Sequence, residues 1–167
     1  MKKNSIAVLV FTLILFLTGC DSSNDTNLGT KYSTDGLNHI TCSRDAEASD
    51  ENTDVEIKYD LYYDDNDYLK VLKSVEKITS SNGEVINKYK EAYEKVYSVY
   101  NDIDYYDNNI VVQDNTITST TSINYGKIDM DKLLEIEGKE DNVKVENGKI
   151  KLSDWKSFAK KYGTTCN

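Results

Sequence analysis

Residues Val55–Asp64, with the sequence VEIKYDLYYD, decide the fold class. Along this stretch each apolar or aromatic side chain is followed by a charged or polar one, with few exceptions. Such alternation is typical of a β-strand that has one buried face and one exposed face. The residues predicted to be buried are Val55, Ile57, Tyr59, Leu61 and Tyr63.

Strands are predicted on both sides of this stretch. Asp65–Asp67 supplies turn residues, and Tyr68–Thr79 returns as a longer strand, so the two strands form a hairpin. The alternation breaks near Leu72, which predicts a β-bulge there. A short strand over Asn38–Ser43 precedes the hairpin.

A long amphipathic helix is predicted next. Ser81 and Glu84 have the spacing of a capping box, and the helix runs from there to about Asp102. One stripe of this helix is rich in tyrosine and apolar residues, so that face must be covered by the sheet.

The rest of the chain predicts a second hairpin and two short helices. The hairpin pairs Tyr105–Val112 with Thr116–Tyr125 and directs Ile117 and Ile123 inward. The remaining signals are Asp129 as the cap of a helix over Met130–Ile136, the turn Asn147-Gly148, and Ser153 as the cap of a final helix that ends near Gly163. Together these elements predict an α+β fold: an antiparallel sheet of two or more hairpins, a long helix packed on one face, and a short C-terminal helix.

The N-terminus carries the signal of a bacterial lipoprotein. Lys2 and Lys3 precede an apolar run, and the run ends in Leu17-Thr18-Gly19-Cys20. In such a signal, the Cys20 thiol accepts a diacylglycerol before the chain is cut ahead of it. We expect a signal peptide over residues 1–19, a lipidated Cys20 with a flexible tether over residues 20–37, and a single domain over residues 38–167.

The apolar run is too short to favour a membrane span. Ile6–Leu17 has 12 residues, whereas crossing the hydrocarbon core takes about 20. An uncleaved anchor and plain secretion are the alternatives to a lipid anchor. The expected location is the extracytoplasmic face of the cell membrane.

The charge of the chain excludes nucleic acid as a partner. The whole sequence has a formal net charge of −9, and without Lys2 and Lys3 it has 18 basic and 29 acidic residues, or 18 − 29 = −11. Arg44 is the only arginine. Nucleic-acid binding requires clustered lysine and arginine side chains that displace counterions.

Lipidation of Cys20 leaves two cysteines, Cys42 and Cys166. Outside the cytoplasm an even pair of thiols favours a disulfide, and two free buried thiols are the alternative. His39 and Cys42 could form part of a metal site, but His39 is the only histidine and zinc usually takes four nitrogen or sulfur ligands. We therefore expect neither a metal site nor a cofactor.

The order of several short motifs resembles a known family. These motifs are Thr41-Cys42, Tyr62-Tyr63, Ile123-Asn124-Tyr125 with Asp129 and Asp131, and Gly163-Thr164-Thr165-Cys166. The chain is similar to small uncharacterised lipoproteins of low-GC Gram-positive bacteria, the YehR-like lipoproteins of unknown function. The resemblance implies an antiparallel α+β fold with a cysteine pair at the ends of the domain. It implies no activity.

The sequence contains no recognisable catalytic motif. His39 is the only histidine that could serve as a base, and no nucleophile motif or glycine-rich phosphate loop is present. The 29 acidic residues would produce close carboxylate pairs by chance, so such pairs are weak evidence for glycoside cleavage. No catalytic residue is predicted.

Tyrosine is abundant, with 13 residues. Those at helical spacing are expected to pack in the core, with their hydroxyl groups at its rim. Four near the hairpin ends are expected to face outward and form the candidate ligand surface: Tyr62, Tyr68, Tyr105 and Tyr106.

Two functions follow as alternatives. The favoured one is a non-enzymatic binding or interaction module, held at the cell surface, that engages an envelope protein, a peptide or a wall glycan. The other is an enzyme or enzyme accessory that acts on a wall polymer through acidic residues. An enzyme requires a concave pocket with convergent groups of perturbed pKa, whereas an interaction module has a flatter exposed patch.

Overall fold

The computed structural model describes residues 31–46, 52–138 and 143–167. Three helices and eight strands lie in these ranges. The strands are β1 (Asn38–Ala46), β2 (Thr53–Tyr63), β3 (Leu69–Ser80), β4 (Tyr106–Gln113), β5 (Thr116–Asn124), β6 (Val145–Glu146), β7 (Lys149–Ile150) and β8 (Thr165–Cys166), and the helices are α1 (Gly83–Ser98), α2 (Met130–Glu137) and α3 (Leu152–Lys160).

Six of the strands form one antiparallel sheet in the order β4-β5-β3-β2-β1-β8. Strands β6 and β7 form a separate two-stranded hairpin. The helices lie on one side of the large sheet, since Trp155 of α3 contacts Tyr59 of β2 and Tyr100, just after α1, stacks on Tyr106 of β4. The predicted α+β fold, with a helix on one face and a short C-terminal helix, is confirmed.

The alternation in β2 is reproduced in the structure. Thr53, Val55, Ile57, Tyr59 and Leu61 are buried on the side of the helices, which we call the covered face. The residues between them lie on the opposite side, which we call the open face. A register shift falls between Tyr62 and Tyr63 of β2, where the pairing moves from Val71 to Leu69. The irregularity predicted near Leu72 is therefore at Lys70.

The strand β3 departs from simple alternation because both of its faces are buried. Leu72 and Ile78 lie in the core of the covered face, and Val71 and Val75 are buried on the open face. In the second hairpin, β4 and β5 pair without a register shift around Asp114-Asn115. Ile117 and Ile123 are buried on the covered face, as predicted.

Two predicted helix starts are corrected by the structure. Asn82, not Ser81, caps α1, and its side-chain oxygen accepts a hydrogen bond from the Glu84 amide. The Ser80 hydroxyl accepts from the Asn82 amide and fixes this start. The helix ends at Ser98, and residues 99–102 continue as turns.

The helix α3 begins at Leu152, so Ser153 is already inside it. Lys151 occupies the cap position without a side-chain hydrogen bond and pairs with Tyr68 in an isolated bridge. The backbone amide of Leu152 donates to the Asp67 carbonyl. The start of α3 is thus set by contact with the β2–β3 turn instead of by a local cap.

Two other local predictions hold. The Asp129 side chain caps α2 by accepting from the Lys132 amide, and Gly138 follows the helix with a positive φ of 80°. Asn147 and Gly148 both have positive φ in the turn between β6 and β7, which is the conformation that favours this pair of residues.

A disulfide joins Cys42 of β1 to Cys166 of β8. The two cysteines are also cross-strand partners, and the backbone amide of Asn167 donates to the Thr41 carbonyl. The C-terminal segment is therefore fixed along the β1 edge of the sheet.

Candidate functional site

The open face carries a cluster of aromatic and charged side chains at its β1–β2–β3 side. His39 stacks on Tyr62 with 4.6 Å between ring centroids, and His39 Nε2 lies 2.7 Å from Asp60 Oδ1. The Thr41 hydroxyl donates to the same Asp60 oxygen at 3.0 Å. Lys73 Nζ lies 5.6 Å from the centroid of the Tyr62 ring. We call these five residues the open-face cluster.

The strand register explains why these residues meet. His39 is directly opposite Tyr62, Thr41 is opposite Asp60, and Asp60 is opposite Lys73. Side chains of directly opposed residues lie on the same face within contact distance. The cluster is therefore fixed by backbone pairing.

The cluster has a defined electrostatic character. The Asp60 carboxylate accepts from Thr41 and interacts with His39, and it remains partly exposed together with the imidazole. Burial, followed by the nearby Asp60 charge, raises the pKa of Tyr62. The Tyr62 hydroxyl therefore stays protonated and can donate a hydrogen bond at neutral pH.

A row of hydroxyl groups continues the open face across β5. Thr116, Thr118, Thr120 and Ser122 are all half-buried and lie on this side of the sheet. The spacing of alternate residues along a strand is about 6.8 Å. The open face is thus rich in hydroxyl and ammonium groups, and Val71 and Val75 on the same face are each 1% exposed.

The covered face contains a second group of polar residues, enclosed between the sheet and α1. Glu76 and Ser74 of β3 lie opposite Ser119 and Thr121 of β5, and all four are buried. Asn108 of β4 donates to Ser119 Oγ at 3.0 Å and to Thr121 Oγ1 at 2.8 Å. We call this group, with Arg44 and Tyr93 added, the buried polar seam.

Glu76 is the one carboxylic acid of the seam, and it is 6% exposed. Burial raises the pKa of Glu76 from its ordinary value of 4.5 to about 7, while the nearby Tyr93 hydroxyl and the Arg44 guanidinium oppose the rise. Burial also raises the pKa of Tyr93, and the Glu76 charge adds to that rise. A protonated Glu76 is the form that this environment favours.

Several atoms of the seam have no hydrogen-bond partner among the described residues. They are Glu76 Oε2, Ser74 Oγ, the Tyr93 hydroxyl oxygen and Arg44 Nε. The Tyr93 hydroxyl is close enough to Glu76 to influence its pKa but does not meet hydrogen-bond geometry. Unsatisfied buried groups of this kind destabilise a fold by about 1–3 kcal/mol each.

Sequence reasoning did not find the seam, although a signal for it was present. Counting back from Ile78 in steps of two places Glu76 and Ser74 on the same face as Leu72. An acidic residue in phase with the buried positions of a strand indicates an enclosed carboxylate.

The four tyrosines predicted to form a ligand surface do not come together. Tyr62 lies in the open-face cluster, and Tyr68 lies near Lys149 and Lys151 at the start of α3. Tyr105 lies near Lys31 and Lys127. Tyr106 does not face outward, because it lies on the covered face with its ring 4.3 Å from that of Tyr100.

The residues assigned to the end of the tether contact the sheet. The Tyr32 hydroxyl donates to Asp107 Oδ2 at 2.6 Å, and Lys31 Nζ lies 3.0 Å from Asp107 Oδ1. Asn124 Nδ2 donates to the Lys31 carbonyl at 2.8 Å. Asp107 of β4 and Asn124 of β5 lie on the open face. Residues 31 and 32 therefore lie over the β4–β5 side of that face before the chain continues to β1.

The sequence predicted neither a metal site nor a membrane-spanning segment. Within the described residues there is no group of three or more His, Cys, Asp or Glu side chains that could hold a metal ion. Over the same part of the chain, none of the helices has the length and apolar character needed to span a membrane. Cys20 and the predicted signal peptide lie outside the described residues.

Comparison with known proteins identifies solved structures but no family. A scan of family models finds no match, and a search of curated proteins finds none either. The NMR structure of the E. coli YehR protein is similar to this chain, with a TM-score of 0.54 and 18% identity over 78% of this chain and 92% of YehR. An NMR structure of a protein from Streptococcus pneumoniae TIGR4 has a TM-score of 0.49 and 16% identity over 93% of this chain and 94% of that one.

The similarity to YehR concerns the fold. The chain has a YehR-like α+β architecture, in agreement with the resemblance drawn from the sequence motifs. At this level of identity no functional residue transfers from one protein to the other.

Proposed function

We propose that the protein is a lipid-anchored, non-enzymatic binding module on the extracytoplasmic face of the cell membrane, and that the open-face cluster is its ligand contact. The anchor is supported by Leu17-Thr18-Gly19-Cys20. The ligand contact is supported by the arrangement of His39, Asp60 and Tyr62 on a face that no described helix covers.

The fixed geometry of the cluster favours binding. A side chain that must be immobilised on binding costs about 0.5–1.5 kcal/mol. Here Thr41, His39 and Lys73 already hold Asp60 and Tyr62 in place. The cluster is also built around Tyr62, and tyrosine is one of the residue types enriched at the centre of binding interfaces.

The shape and chemistry of the open face favour an extended polar ligand. The hydroxyl row of β5 lies beside the ammonium groups of Lys73 and Lys77, which are opposite Ser122 and Thr118. A peptide segment of an envelope protein or a wall glycan can form hydrogen bonds along such a surface. A small apolar ligand would need a concave pocket instead.

Photo-crosslinking in intact cells tests the ligand contact. A photoreactive phenylalanine analogue placed at Tyr62 should capture the ligand, because this ring is held in the centre of the cluster. The matched control is the same analogue at Tyr162, an aromatic residue that is 38% exposed and follows α3. Equal capture at both positions, or none at Tyr62, would refute the proposed contact.

The anchor has its own test. Cys20→Ala should abolish incorporation of labelled fatty acid and release the protein from the membrane fraction. Cys166→Ser serves as the control, because it removes a cysteine that is joined to Cys42 and is not expected to carry lipid. Labelling that persists in Cys20→Ala contradicts the anchor but leaves the ligand contact untouched.

The second candidate, an enzyme or enzyme accessory acting on a wall polymer, is supported by one observation. Glu76 has a pKa of about 7, which suits a general acid or base at neutral pH. Against this role, Glu76 is enclosed beneath α1. This alternative predicts that the protein cleaves purified wall polymer. In that case Glu76→Gln should abolish cleavage, because it removes the general acid or base. Tyr62→Ala should still cleave small fragments, because it changes only the ligand contact.

A further inference from the structure

Among the described strands, β4 is one of the two edges of the large sheet. In the described residues it pairs only with β5. It is eight residues long, pairs without a bulge, and contains neither lysine nor proline. Natural proteins usually protect an exposed edge with a very short strand, a bulge, a lysine or a proline, because the unpaired backbone groups can otherwise pair with another chain.

The opposite edge is protected. Strand β8 covers β1 at Cys42 and Ser43, the disulfide fixes it there, and Asn167 adds a hydrogen bond to Thr41. Within the described part of the chain, β4 therefore has no strand or disulfide along its outer side, unlike β1.

The backbone groups of β4 that point outward can be identified from the ladder. The Asn124 amide donates to the Tyr105 carbonyl at 2.9 Å, so these two residues form a hydrogen-bonded pair. Hydrogen-bonded and non-hydrogen-bonded pairs alternate in an antiparallel ladder. Tyr106, Asn108, Ile110 and Val112 therefore direct their N–H and C=O groups away from β5.

Exposed apolar side chains coincide with this edge. Four large hydrophobic residues are exposed in the described part of the chain, and two of them are the neighbours Val111 and Val112, at 49% and 41%. Ile110 beside them is half-buried. The five residues Asn109–Gln113 carry no charge in a chain whose net charge is −9.

We propose that β4 is a self-association surface, at which a second copy of this chain adds its own β4 in antiparallel orientation. We consider the register that places Val111 opposite Val111 of the other copy. In this register Ile110 of each copy lies opposite Val112 of the other. The N–H and C=O groups of Ile110 and Val112 both point away from β5. In this register they can therefore form hydrogen bonds with the same groups of the other copy. The two sheets then continue as one.

Charge is compatible with this arrangement. In the proposed register Asp107 and Asp114 of one copy are not opposite an acid of the other, since their partners are Asn115 and Asn108. The helix α1, which packs near β4, carries three acidic and three basic residues within Gly83–Ser98 and is neutral. The contact area of one edge strand is smaller than that of a standard interface of about 1,600 Å², so the dimer is weak and concentration-dependent.

Cysteine crosslinking of the full chain in intact cells tests the proposal. At a non-hydrogen-bonded antiparallel pair the Cα atoms lie about 4.5 Å apart, which permits a disulfide. With a mild oxidant, Val111→Cys should give a reductant-sensitive species of twice the mass. Val99→Cys is the matched control, because Val99 is 53% exposed and lies outside β4.

Several-fold more dimer with Val111→Cys than with Val99→Cys is the expected result. Equal yields, or no dimer, would overturn the proposal, and so would a crosslinked species whose mass identifies a different partner. The mass of the reduced and unreduced monomer verifies that Cys42 and Cys166 remain paired, which shows that the variant is folded.

Discussion

The covered and open faces of the sheet come from the same strands, yet their polar residues have different surroundings. On the covered face, Glu76 is enclosed by the sheet and α1 and has an unsatisfied carboxylate oxygen. On the open face, Asp60 has two side-chain partners and stays partly exposed. The difference indicates that only the open-face carboxylate can meet a large ligand without movement of a helix.

The largest expected difference between the faces concerns apolar packing. Ile78 and Val75 are both almost fully buried, but Ile78 belongs to the main core, whereas Val75 lies on the open face between its cross-strand neighbours Lys58 and Thr120. Ile78→Ala should lower the free energy of unfolding by about 4 kcal/mol. Val75→Ala should lower it by about 1.5 kcal/mol, because two methyl groups are lost where the surface can relax.

Urea denaturation of both variants at one pH measures this difference. Equal losses would mean that the open face is packed as tightly as the covered one. Such a result would contradict the view that the open face is an accessible surface.

The second prediction concerns the pH dependence of the buried polar seam. The pKa of Glu76 is about 7 in the folded protein and 4.5 as its ordinary value, so between these pH values the folded state binds more protons than the unfolded state. The free energy of unfolding therefore falls as pH rises from 4.5 to 7, by about 3 kcal/mol in total. Below pH 4.5 this loss is absent.

Glu76→Gln should remove this pH dependence and be more stable than the unmodified protein at pH 8. Asp60→Asn on the open face is the control and should leave the dependence in place. Thermal unfolding of the three proteins between pH 4 and pH 8 measures the effect. Parallel pH profiles for Glu76→Gln and the unmodified protein would show that the seam does not enclose Glu76 as described.

The smallest expected effect on stability belongs to the open-face cluster. His39→Ala removes a ring that is partly exposed and stacked on Tyr62, so we expect a loss of less than about 1 kcal/mol. The same change should strongly reduce capture of the ligand by a photoreactive group at Tyr62. A large loss of stability with unchanged capture would assign His39 to the fold and not to binding.

Much of the fold follows from local patterns in the sequence. The alternation in β2, the Asp129 cap and the Asn147-Gly148 turn each depend on residues close together in the chain. The start of α3 could not be predicted in this way, because Lys151 is positioned by its bridge to Tyr68, 83 positions earlier.

The candidate site was only partly predictable for the same reason. Tyr62 was found from its place near a hairpin end, but its partners depend on strand register. His39 and Thr41 come from β1, and Lys73 comes from β3. Alternation within one strand shows which face a residue lies on, but it does not show which residue of the next strand lies opposite.

The positions of the two chain ends determine how the protein responds to a pulling force. Tension that arrives from the N-terminal side first meets Lys31 and Tyr32, whose bonds to Asp107 and Asn124 lie across the sheet from β1. If those bonds break and the first residues of β1 detach, the disulfide at Cys42 stops further extension. The covalent loop that it closes spans a sequence separation of 124 residues, from Cys42 to Cys166. For a load carried between the N-terminal side and the C-terminus, the residues inside this loop are thereby shielded from mechanical unfolding.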